Sequence, residues 1–380
     1  MAKSPAPIEW KKLPEVTRKS SPWRKLKRRA KRYFLPISLA VAVALAVTIV
    51  VIVNLKKVEK HSSDAYLTIS GSAMGSTWSV KIPTAELRDT TQNRLKSEIT
   101  TLLDKLDSEM SLWNSQSEVS KFNDYLKEDW YPVPQEIADV VNKSILISEQ
   151  TEGAFDITVA PLVFLWGFGP KNLNKNAGWI PNLDQITRTR QAVGFSYLQC
   201  QLNPPSLRKI DQSLQLDLGG IGKGYATDKV AEYLDLIQIK NYLVAVGGEL
   251  RSKGEGVDGG GWNVGIQIPS TDNKRIFRQV NLINQCLSTS GDYNNILSFE
   301  GKVYSHLINP LTGVALERRS SSVSVLAGNS VTADALATAF MILGKEKGLA
   351  LASRLKVEAL FIWKGNEDKF ESAQTPGFPK

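Results

Sequence analysis

The chain contains very little cysteine and histidine. Its 380 residues include only two cysteines, Cys200 and Cys286, and two histidines, His61 and His306. Two cysteines are too few for a disulfide framework, so the sequence leaves open either one bridge or two unreactive thiols. No Cys/His spacing typical of zinc ligands occurs, which means that any metal here would be a hard ion held by oxygen atoms.

The net positive charge of the chain is confined to its N-terminal tail. The formal net charge is +9, but residues 1–32 contain twelve Lys and Arg against two acidic residues. Subtracting the +10 of this tail from the total leaves residues 33–380 at −1. The remaining chain lacks the basic patch with interleaved aromatic residues that is typical of nucleic-acid-binding proteins, so we expect no nucleic-acid partner.

One long uncharged stretch is present. Residues 33–53 read YFLPISLAVAVALAVTIVVIV, which is about the length that a helix needs to cross a bilayer. Basic residues are denser before this stretch than after it, which predicts a single-pass signal anchor with a disordered cytoplasmic tail (1–32) and the rest of the chain outside. A weak cleavage site at residues 63–65 leaves removal of the anchor as the alternative.

The remaining sequence is interpreted as a linker (54–64), one compact domain (65–368) and a flexible tail (369–380). Hydrophobic periodicity predicts helices at 85–108, 137–149, 228–236 and 333–343, the last of them closed by Gly344. Strands are predicted at 66–70, 76–82, 214–218, 242–246, 262–268, 280–282, 321–325 and 359–362. The irregular order of helices and strands favours an α+β fold over a doubly wound sheet.

A glycine-rich segment is the first candidate for chemistry. Residues 217–225 read DLGGIGKGY, follow a predicted strand and open a helix, so their backbone N–H groups could face an anion. The segment does not match a Walker motif, because Gly224 stands where Ser or Thr should follow Lys223. The pattern alone leaves a phosphate cradle and a tight packing turn equally open.

Three further features could carry function. Asp334 and Thr338 lie four residues apart on one helix face, where their oxygens suit Mg²⁺, although Asp334 could simply serve the helix dipole. His306 lies beside a turn and could be an acid or base, or structural. The aromatic residues of 161–170 could stack on a planar ring or fill the core. No G-x-S-x-G segment supports a serine hydrolase.

Taken together and in this order, these segments resemble the ApbE family of FAD:protein FMN transferases. The resemblance runs from about Gly71 to Ile362. It rests on AMGSTW (73–78), MSLWN (110–114), SEVSKFN (117–123), GAFD (153–156), WGFG (166–169), DLGGIGKGY (217–225), VGGE (246–249), TSGD (289–292), 306–313 and 333–338. It implies a single mixed α/β domain of the ApbE type, FAD as the donor substrate and Mg²⁺ bridging its pyrophosphate.

Position by position, the resemblance implies roles for individual residues. The residues expected to contact FAD are Met74, Trp113, Ala154, Phe155, Asp156, Asp217, Lys223 and Ile308. The expected Mg²⁺ ligands are Gly220, Asp334 and Thr338. His306 is the best candidate to accept or orient a hydroxyl proton, Lys223 would neutralise charge on the pyrophosphate, and Asp292 is a weaker catalytic candidate.

The sequence also departs from the family pattern. Asn309 stands where Asp is usual in the turn after His306, and Gly222 replaces the commoner Ala before Lys223. Gly220 has no side-chain hydroxyl, so it could offer a metal only its carbonyl. None of these changes removes a residue on which the implied chemistry depends.

The implied reaction is attack by a Thr or Ser hydroxyl of an acceptor protein on the FMN-side phosphorus of FAD, with release of AMP. The resemblance further implies a bacterial inner-membrane protein with a periplasmic domain, whose acceptors are subunits of redox-driven membrane complexes. One alternative is an FAD pyrophosphatase that releases FMN and AMP. The other is a non-catalytic FAD carrier or assembly factor, which the presence of His306 and Asp334 disfavours.

Overall fold

The computed structural model describes residues 65–87, 91–170, 179–271 and 275–380. Within these ranges the strands are β1 (Tyr66–Ala73), β2 (Ser76–Pro83), β3 (Tyr131–Pro132), β4 (Leu198–Leu202), β5 (Pro205–Lys209), β6 (Tyr242–Val246), β7 (Glu249–Lys253), β8 (Trp262–Gln267), β9 (Ile276–Leu282), β10 (Cys286–Gly291), β11 (Ile296–Phe299), β12 (Lys302–Ile308), β13 (Ala315–Glu317), β14 (Ser321–Ala327), β15 (Glu358–Lys364) and β16 (Phe370–Gln374). The helices are α1 (Gln92–Met110), α2 (Glu118–Asp124), α3 (Gln135–Gln150), α4 (Ala160–Leu165), α5 (Leu183–Arg190), α6 (Gly222–Leu236) and α7 (Ser330–Leu355).

An antiparallel sheet forms the centre of the molecule, in the strand order β1-β2-β6-β7-β10-β14-β15-β16. Its inner strands are buried on both faces. In β15, Ala359 and Phe361 belong to the main hydrophobic core, whereas Leu360 and Ile362 belong to a second core on the other face. This double burial explains why the sequence of β15 is an uninterrupted apolar run and not an alternation.

Helices cover the face of the sheet that carries the main core. In α1 the buried residues Leu95, Ile99, Leu103 and Leu106 recur at helical spacing. The side chain of Asn329 caps α7 by accepting a hydrogen bond from the Thr332 N–H at 2.9 Å. Smaller sheets, β11-β12-β13, β3-β5-β4 and β8-β9, complete the fold. The architecture confirms the predicted mixture of α and β structure in one compact unit.

Several predicted boundaries need correction. The helix predicted from residue 85 begins at Gln92. At Gly344 the backbone leaves the helical conformation, with a φ of 75° and a ψ of 175°, as the predicted end at Gly344 requires; a second helical stretch, which was not predicted, follows directly and ends at Leu355. Residues 214–218 form no strand. Their backbone groups bond instead to the Asn123 side chain and, through Asp217 N–H, to the Ile157 carbonyl at 2.7 Å.

The predicted flexible tail is wrong. Within residues 369–380, β16 pairs antiparallel with β15, and Phe378 is only 2% exposed in the second core. The tail therefore closes one edge of the central sheet and covers part of its outer face. The tail has too few apolar residues for a periodic hydrophobic pattern, so its burial, which depends largely on Phe378, is not visible in the sequence.

The remaining sequence predictions concern the anchor and the cysteines. No helix among the described residues is long and apolar enough to cross a membrane, and the predicted tail, anchor and linker at 1–64 lie outside those residues. Cys200 and Cys286 are both free. Burial raises the pKa of Cys200 to about 11 and that of Cys286 to about 12, so both thiols stay protonated and unreactive at neutral pH.

Candidate active site

A cavity of about 940 Å³ lies where the β1–β2 turn, the glycine segment, β12 and α7 meet. Its volume is in the range of sites that bury a cofactor-sized ligand. The predicted site residues that line it are Met74, Trp113, Ala154, Phe155, Asp156, Asp217, Gly220, Lys223, His306, Ile308, Asp334 and Thr338. Residues from segments far apart in sequence therefore line one cavity.

Asp292 is the exception among the predicted residues, since it does not line the cavity. Its carboxylate is 2% exposed and accepts hydrogen bonds from the N–H groups of Arg319 and Ser321, at 2.8 and 2.7 Å. The Ser321 hydroxyl donates a third hydrogen bond at 2.7 Å. These hydrogen bonds connect the end of β10 to the start of β14. They indicate a structural role for Asp292 and give no support for a role in proton transfer.

The glycine segment leads into the first turn of α6. Gly219 N–H donates to Oδ1 of Asp217 at 2.8 Å, which turns the backbone toward the helix. Gly224 lies so close to α7 that a Cβ there would be 2.7 Å from the Asp334 Cβ. Of the two roles left open for this segment, Gly224 shows the packing role. Gly219, Gly220 and Gly222 line the cavity, and the phosphate cradle stays a prediction.

Lys223 projects from α6 into a pair of buried carboxylates. Its Nζ contacts Oε1 of Glu249 and lies 3.9 Å from Oδ1 of Asp334. Gly247, with a φ of +64°, makes room for this side chain, because a Cβ there would lie 2.5 Å from the Lys223 Cδ. Burial alone would lower the pKa of Lys223, but Asp334 and Glu249 outweigh this and raise it. The ammonium group therefore stays charged at neutral pH.

Glu249 is a site residue that the sequence analysis did not assign. It is 2% exposed, and burial raises its pKa while the contact with Lys223 opposes the rise. The signal was available in the VGGE segment, where two glycines with positive φ separate a buried strand from a carboxylate. Such a turn is typical of a side chain held at a site, but its partner, Lys223, is not visible from local sequence.

Asp334 and Thr338 lie one turn apart on α7, as predicted. Oδ2 of Asp334 accepts a hydrogen bond from Gly224 N–H at 2.9 Å, and the residue is 3% exposed. Burial raises the pKa of this carboxyl group, while Lys223 and the Gly224 N–H oppose the rise. Thr338 Oγ1 lies 3.2 Å from the position that a Cβ on Gly220 would occupy, so the three expected ligands are neighbours.

This arrangement fits a hard cation. The oxygens of Asp334, Thr338 and Gly220 are the type of ligand that Mg²⁺ takes, and a positive ion would stabilise the buried Asp334 carboxylate. The described residues contain no cluster of three or more His, Cys, Asp or Glu that could hold a metal by themselves. A cation here would therefore need further oxygens from water or from the ligand, as Mg²⁺ sites with phosphates commonly use.

His306 lies on β12 and is half-buried. Its Nδ1 is 3.2 Å from the Asn294 carbonyl oxygen. A neutral ring that donates from Nδ1 keeps the Nε2 lone pair free to accept a proton. Burial lowers the pKa of this imidazole, so the neutral form prevails at pH 7. The turn that follows uses Asn309 Oδ1 to accept from Leu311 N–H at 2.9 Å, which confirms that Asn309 supports the turn.

Aromatic and apolar groups form the rest of the wall. Trp113 is 71% exposed at the cavity, which leaves its ring free to stack on a planar ligand. Met74 also lines the cavity, with its Cε 3.8 Å from the position that a Cβ on Gly222 would occupy. Within the aromatic run, Phe168 lines the cavity, whereas Trp166 is in the core and donates from Nε1 to the Gly313 carbonyl at 2.8 Å.

Asp156 is anchored within its own segment. Its Oδ1 accepts hydrogen bonds from the N–H and the hydroxyl of Thr158, at 2.8 and 2.7 Å, and its Oδ2 accepts from Phe195 N–H at 2.8 Å. Burial nevertheless raises the pKa of this carboxyl group. These contacts fix the Ala154–Asp156 corner of the cavity.

Comparison with known proteins agrees with this geometry. The family model described as "ApbE family" matches residues 74–361. The FAD:protein FMN transferase of Vibrio cholerae is 36% identical over 321 residues, covering 84% of this chain and 93% of that protein. The Escherichia coli protein of the same name is 36% identical over 312 residues, covering 82% of this chain and 87% of that protein.

Solved structures resemble the fold as well. The flavin transferase ApbE from Vibrio cholerae superposes with a TM-score of 0.72 at 33% identity, covering 82% of this chain and 98% of that one. The flavinyl transferase ApbE of Pseudomonas stutzeri, in its apo form, gives a TM-score of 0.73 at 33% identity and covers 82% of this chain and 95% of that one. The match spans nearly the whole described part of the chain.

Proposed function

This chain belongs to the ApbE family, and from that membership we propose how its cavity works. The chain is a transferase that moves FMN from FAD to an acceptor protein, as the names of its curated relatives state for them. The proposal concerns the chemistry of the step, the metal, and the place of the protein in the cell. Its main support is the meeting of Lys223, His306, Asp334 and Thr338 in one cavity.

The transfer step is a phosphoryl substitution. A Thr or Ser hydroxyl oxygen of the acceptor attacks the FMN-side phosphorus of FAD, and a new P–O bond forms. The anhydride P–O bond to the AMP half breaks, and AMP leaves with the bonding electron pair. The hydroxyl proton passes to Nε2 of His306, whose neutral ring is held by the Asn294 carbonyl. The product is a phosphodiester between the acceptor side chain and riboflavin.

Lys223 acts on the charge that builds up on the pyrophosphate. Its ammonium group already forms ion pairs with the carboxylates of Glu249 and Asp334. The pyrophosphate of the ligand would interact with this same ammonium group, which is held in place before the ligand binds. A fixed charge in a partly buried site needs no reorganisation during the reaction. Glu249 keeps the ammonium group in place through the contact on its far side.

Asp334, Thr338 and Gly220 would hold Mg²⁺. When bound there, Mg²⁺ would neutralise negative charge on the pyrophosphate oxygens. Trp113, exposed at the cavity, would stack on the flavin ring system, and Met74 would also contact FAD. Asp156 and Asp217 offer oxygen acceptors for ligand hydroxyl or imino groups.

The location of the chain is part of the proposal. The uncharged stretch at 33–53 and the basic residues before it support a single-pass anchor in a bacterial inner membrane, with the catalytic domain in the periplasm. Acceptors would then be periplasmic segments of redox-driven membrane complexes. A protease-protection assay on intact and permeabilised spheroplasts tests this: digestion of the domain in intact spheroplasts is expected, and full protection contradicts the orientation.

The decisive test of the chemistry uses the full chain in detergent with FAD, Mg²⁺ and a candidate acceptor that carries a flavinylation threonine. Intact-mass spectrometry should show the acceptor gaining one FMN less one water, with no gain in EDTA or with His306→Ala. Accumulation of FMN and AMP with unmodified acceptor would instead identify a pyrophosphatase. Intact FAD bound to the chain would favour a carrier, provided that the acceptor is modified by another family member.

A further inference from the structure

The hydroxyl of Thr338 makes an unusual contact for a helical residue. Serine and threonine side chains inside helices commonly bond to the carbonyl four residues earlier. In this chain that pattern holds for Ser144, Ser148, Thr187, Thr227 and Ser353. Thr338 differs, because its Oγ1 lies 3.1 Å from Oγ of Ser290 on β10 and so points away from its own helix.

The direction of the Thr338 hydroxyl matters because of what surrounds it. Thr338, Ser290, Gly220 and Asp334 all line the cavity. If Oγ1 bonded to the Asp334 carbonyl, it would turn along the helix and away from Gly220. The hydrogen bond to Ser290 keeps the Thr338 hydroxyl on the cavity side, near Gly220 and Asp334, whose oxygens would complete the cation site.

A hydroxyl that binds a cation with a lone pair must direct its proton elsewhere. Ser290 Oγ is at hydrogen-bond distance and can accept that proton. The support is rigid, since β10 lies between β7 and β14 in the central sheet, with Ser290 opposite Val323. The pair therefore has the geometry of a metal ligand and the outer group that orients it.

We propose that Ser290 is a positioning residue for the metal site, which holds Thr338 Oγ1 in the orientation that binds a divalent cation. This inference rests on the proposed metal site of Asp334, Thr338 and Gly220. Ser290 itself contributes an acceptor for the Thr338 proton. Without it, the Thr338 hydroxyl is expected to turn to the Asp334 carbonyl, as helical hydroxyls elsewhere in this chain do.

The chain offers a matched control. Ser288 lies on the same strand and, being two residues earlier, points to the same side of the sheet. It is fully buried, and its hydroxyl has no hydrogen-bond partner among the described residues. It does not line the cavity. Ser288→Ala removes the same group from the same strand without touching Thr338.

The experiment measures Mn²⁺ binding to the full chain in detergent by electron paramagnetic resonance, without FAD. Ser290→Ala is expected to raise the Mn²⁺ dissociation constant about 10- to 100-fold, the usual effect of losing an outer-shell partner. Ser290→Thr, which keeps the hydroxyl, should restore most of the affinity, and Ser288→Ala should leave it unchanged. Thermal unfolding of each variant confirms that it is folded.

Two failures can be told apart. Equal Mn²⁺ affinity of Ser290→Ala and the unmodified chain would overturn the role of Ser290 while leaving the metal site intact. A loss of affinity that Ser290→Thr does not restore, or that Ser288→Ala shares, would also overturn it. If the unmodified chain binds no Mn²⁺, or Asp334→Asn binds it as well, the proposed metal site itself is wrong.

Discussion

The side-chain carboxamide of Asn123 hydrogen-bonds both backbone groups of Leu216, 93 residues further along the chain. Nδ2 donates to the Leu216 carbonyl at 2.9 Å, and Oδ1 accepts from the Leu216 N–H at 2.7 Å. A neighbouring β-strand would form the same two hydrogen bonds with the N–H and carbonyl of Leu216. The Asn123 side chain therefore takes the place of a strand just before the glycine segment. The position of Asp217 therefore depends on a residue at the end of α2.

Substitution of Asn123 should affect both stability and ligand binding. Asn123→Leu leaves the N–H and carbonyl of Leu216 buried without partners, and each such group costs about 1–3 kcal/mol. We expect a loss of about 2–5 kcal/mol in the free energy of unfolding, measured by urea denaturation, and weaker FAD binding. Asn281→Ala, on an exposed side chain that bonds only to Asn263, serves as the control. Equal stability of both variants would contradict the strand-like role.

Lys223 should be needed for catalysis more than for folding. Lys223→Met removes the fixed positive charge near the pyrophosphate, so kcat is expected to fall about 100- to 1,000-fold, the usual effect of losing one charge-stabilising group. Steady-state kinetics of FMN transfer give the measurement. Lys229→Met, on the same helix but paired with Glu232 at the surface, should stay near the unmodified rate. A kcat within threefold for Lys223→Met would remove Lys223 from the mechanism.

The pH dependence should report on His306. Burial lowers the pKa of this imidazole from the ordinary value of 6.5, and only the neutral ring can accept a proton. The rate should therefore be on a plateau at pH 7 and fall only as the pH drops below 6.5 through the lowered pKa.

His306→Ala should reduce kcat about 100- to 10,000-fold and remove this acidic limb. His61→Ala, at the chain's other histidine, is the control and should change neither the rate nor the profile. The test is to measure kcat between pH 5 and 8 for the unmodified chain and both variants. An acidic limb that persists in His306→Ala would show that another group titrates.

Met74 combines a strained backbone with a position in the cavity. The turn Met74-Gly75 joins Ala73 to Ser76, and both residues have positive φ, +54° and +66°. A two-residue turn of this kind favours Asn-Gly. Met74→Asn should therefore raise the free energy of unfolding by about 0.5–1 kcal/mol, while FAD binds more weakly because the side chain that faces Gly222 is lost.

Urea denaturation and flavin-fluorescence titration measure the two effects of Met74→Asn separately. Met74→Leu keeps an apolar side chain with the same backbone cost, so it should change stability little and retain more FAD affinity. Because Met74 also packs against the main core, Met74→Asn is compared with Met74→Ala, which loses the same packing. Stability of Met74→Asn no higher than that of Met74→Ala would show that the turn is not strained.

The C-terminal segment should behave as part of the core. Phe378 is 2% exposed among residues of the outer core, and Phe378→Ala should lower the free energy of unfolding by about 3–5 kcal/mol. Leu236→Ala, at a side chain that is 80% exposed, should stay within about 0.5 kcal/mol. Thermal and urea unfolding give the comparison, and similar stabilities would restore the prediction of a flexible tail.

All the helices and strands that local sequence patterns predicted, except the strand at 214–218, are present with the predicted type. The spacing of Leu95, Ile99 and Leu103 predicted α1, and the alternation in TWSVKI predicted β2. The start of α1 was missed because residues 85–87 share its composition but not its cap, which is Thr91. Gly344 ends the first helical stretch of α7 as predicted, whereas the second stretch, up to Leu355, was not predicted.

The candidate site was predictable wherever a motif carries its own chemistry. Helical spacing places Asp334 and Thr338 on one face, whereas their role as ligands and the role of Lys223 are implied by the resemblance to the ApbE family and stay predictions. Glu249 and Ser290 were not assigned, because each acts on a partner 26 or 48 residues away, Lys223 and Thr338 respectively. The hydrogen bonds of Asp292 were not predicted either, because their donors, Arg319 and Ser321, lie about 30 residues further along the chain.

The sequence by itself determined the chemical limits of this protein: too few cysteines and histidines for a thiol or zinc site, a neutral domain after a basic tail, and a set of oxygen-bearing motifs. Tertiary structure alone decided which of these groups meet, that Asn123 stands in for a strand, and that the C-terminal residues close the sheet. The reason is physical: hydrophobic periodicity arises from neighbours along the chain, whereas hydrogen bonds and ion pairs are made between segments that only folding brings together.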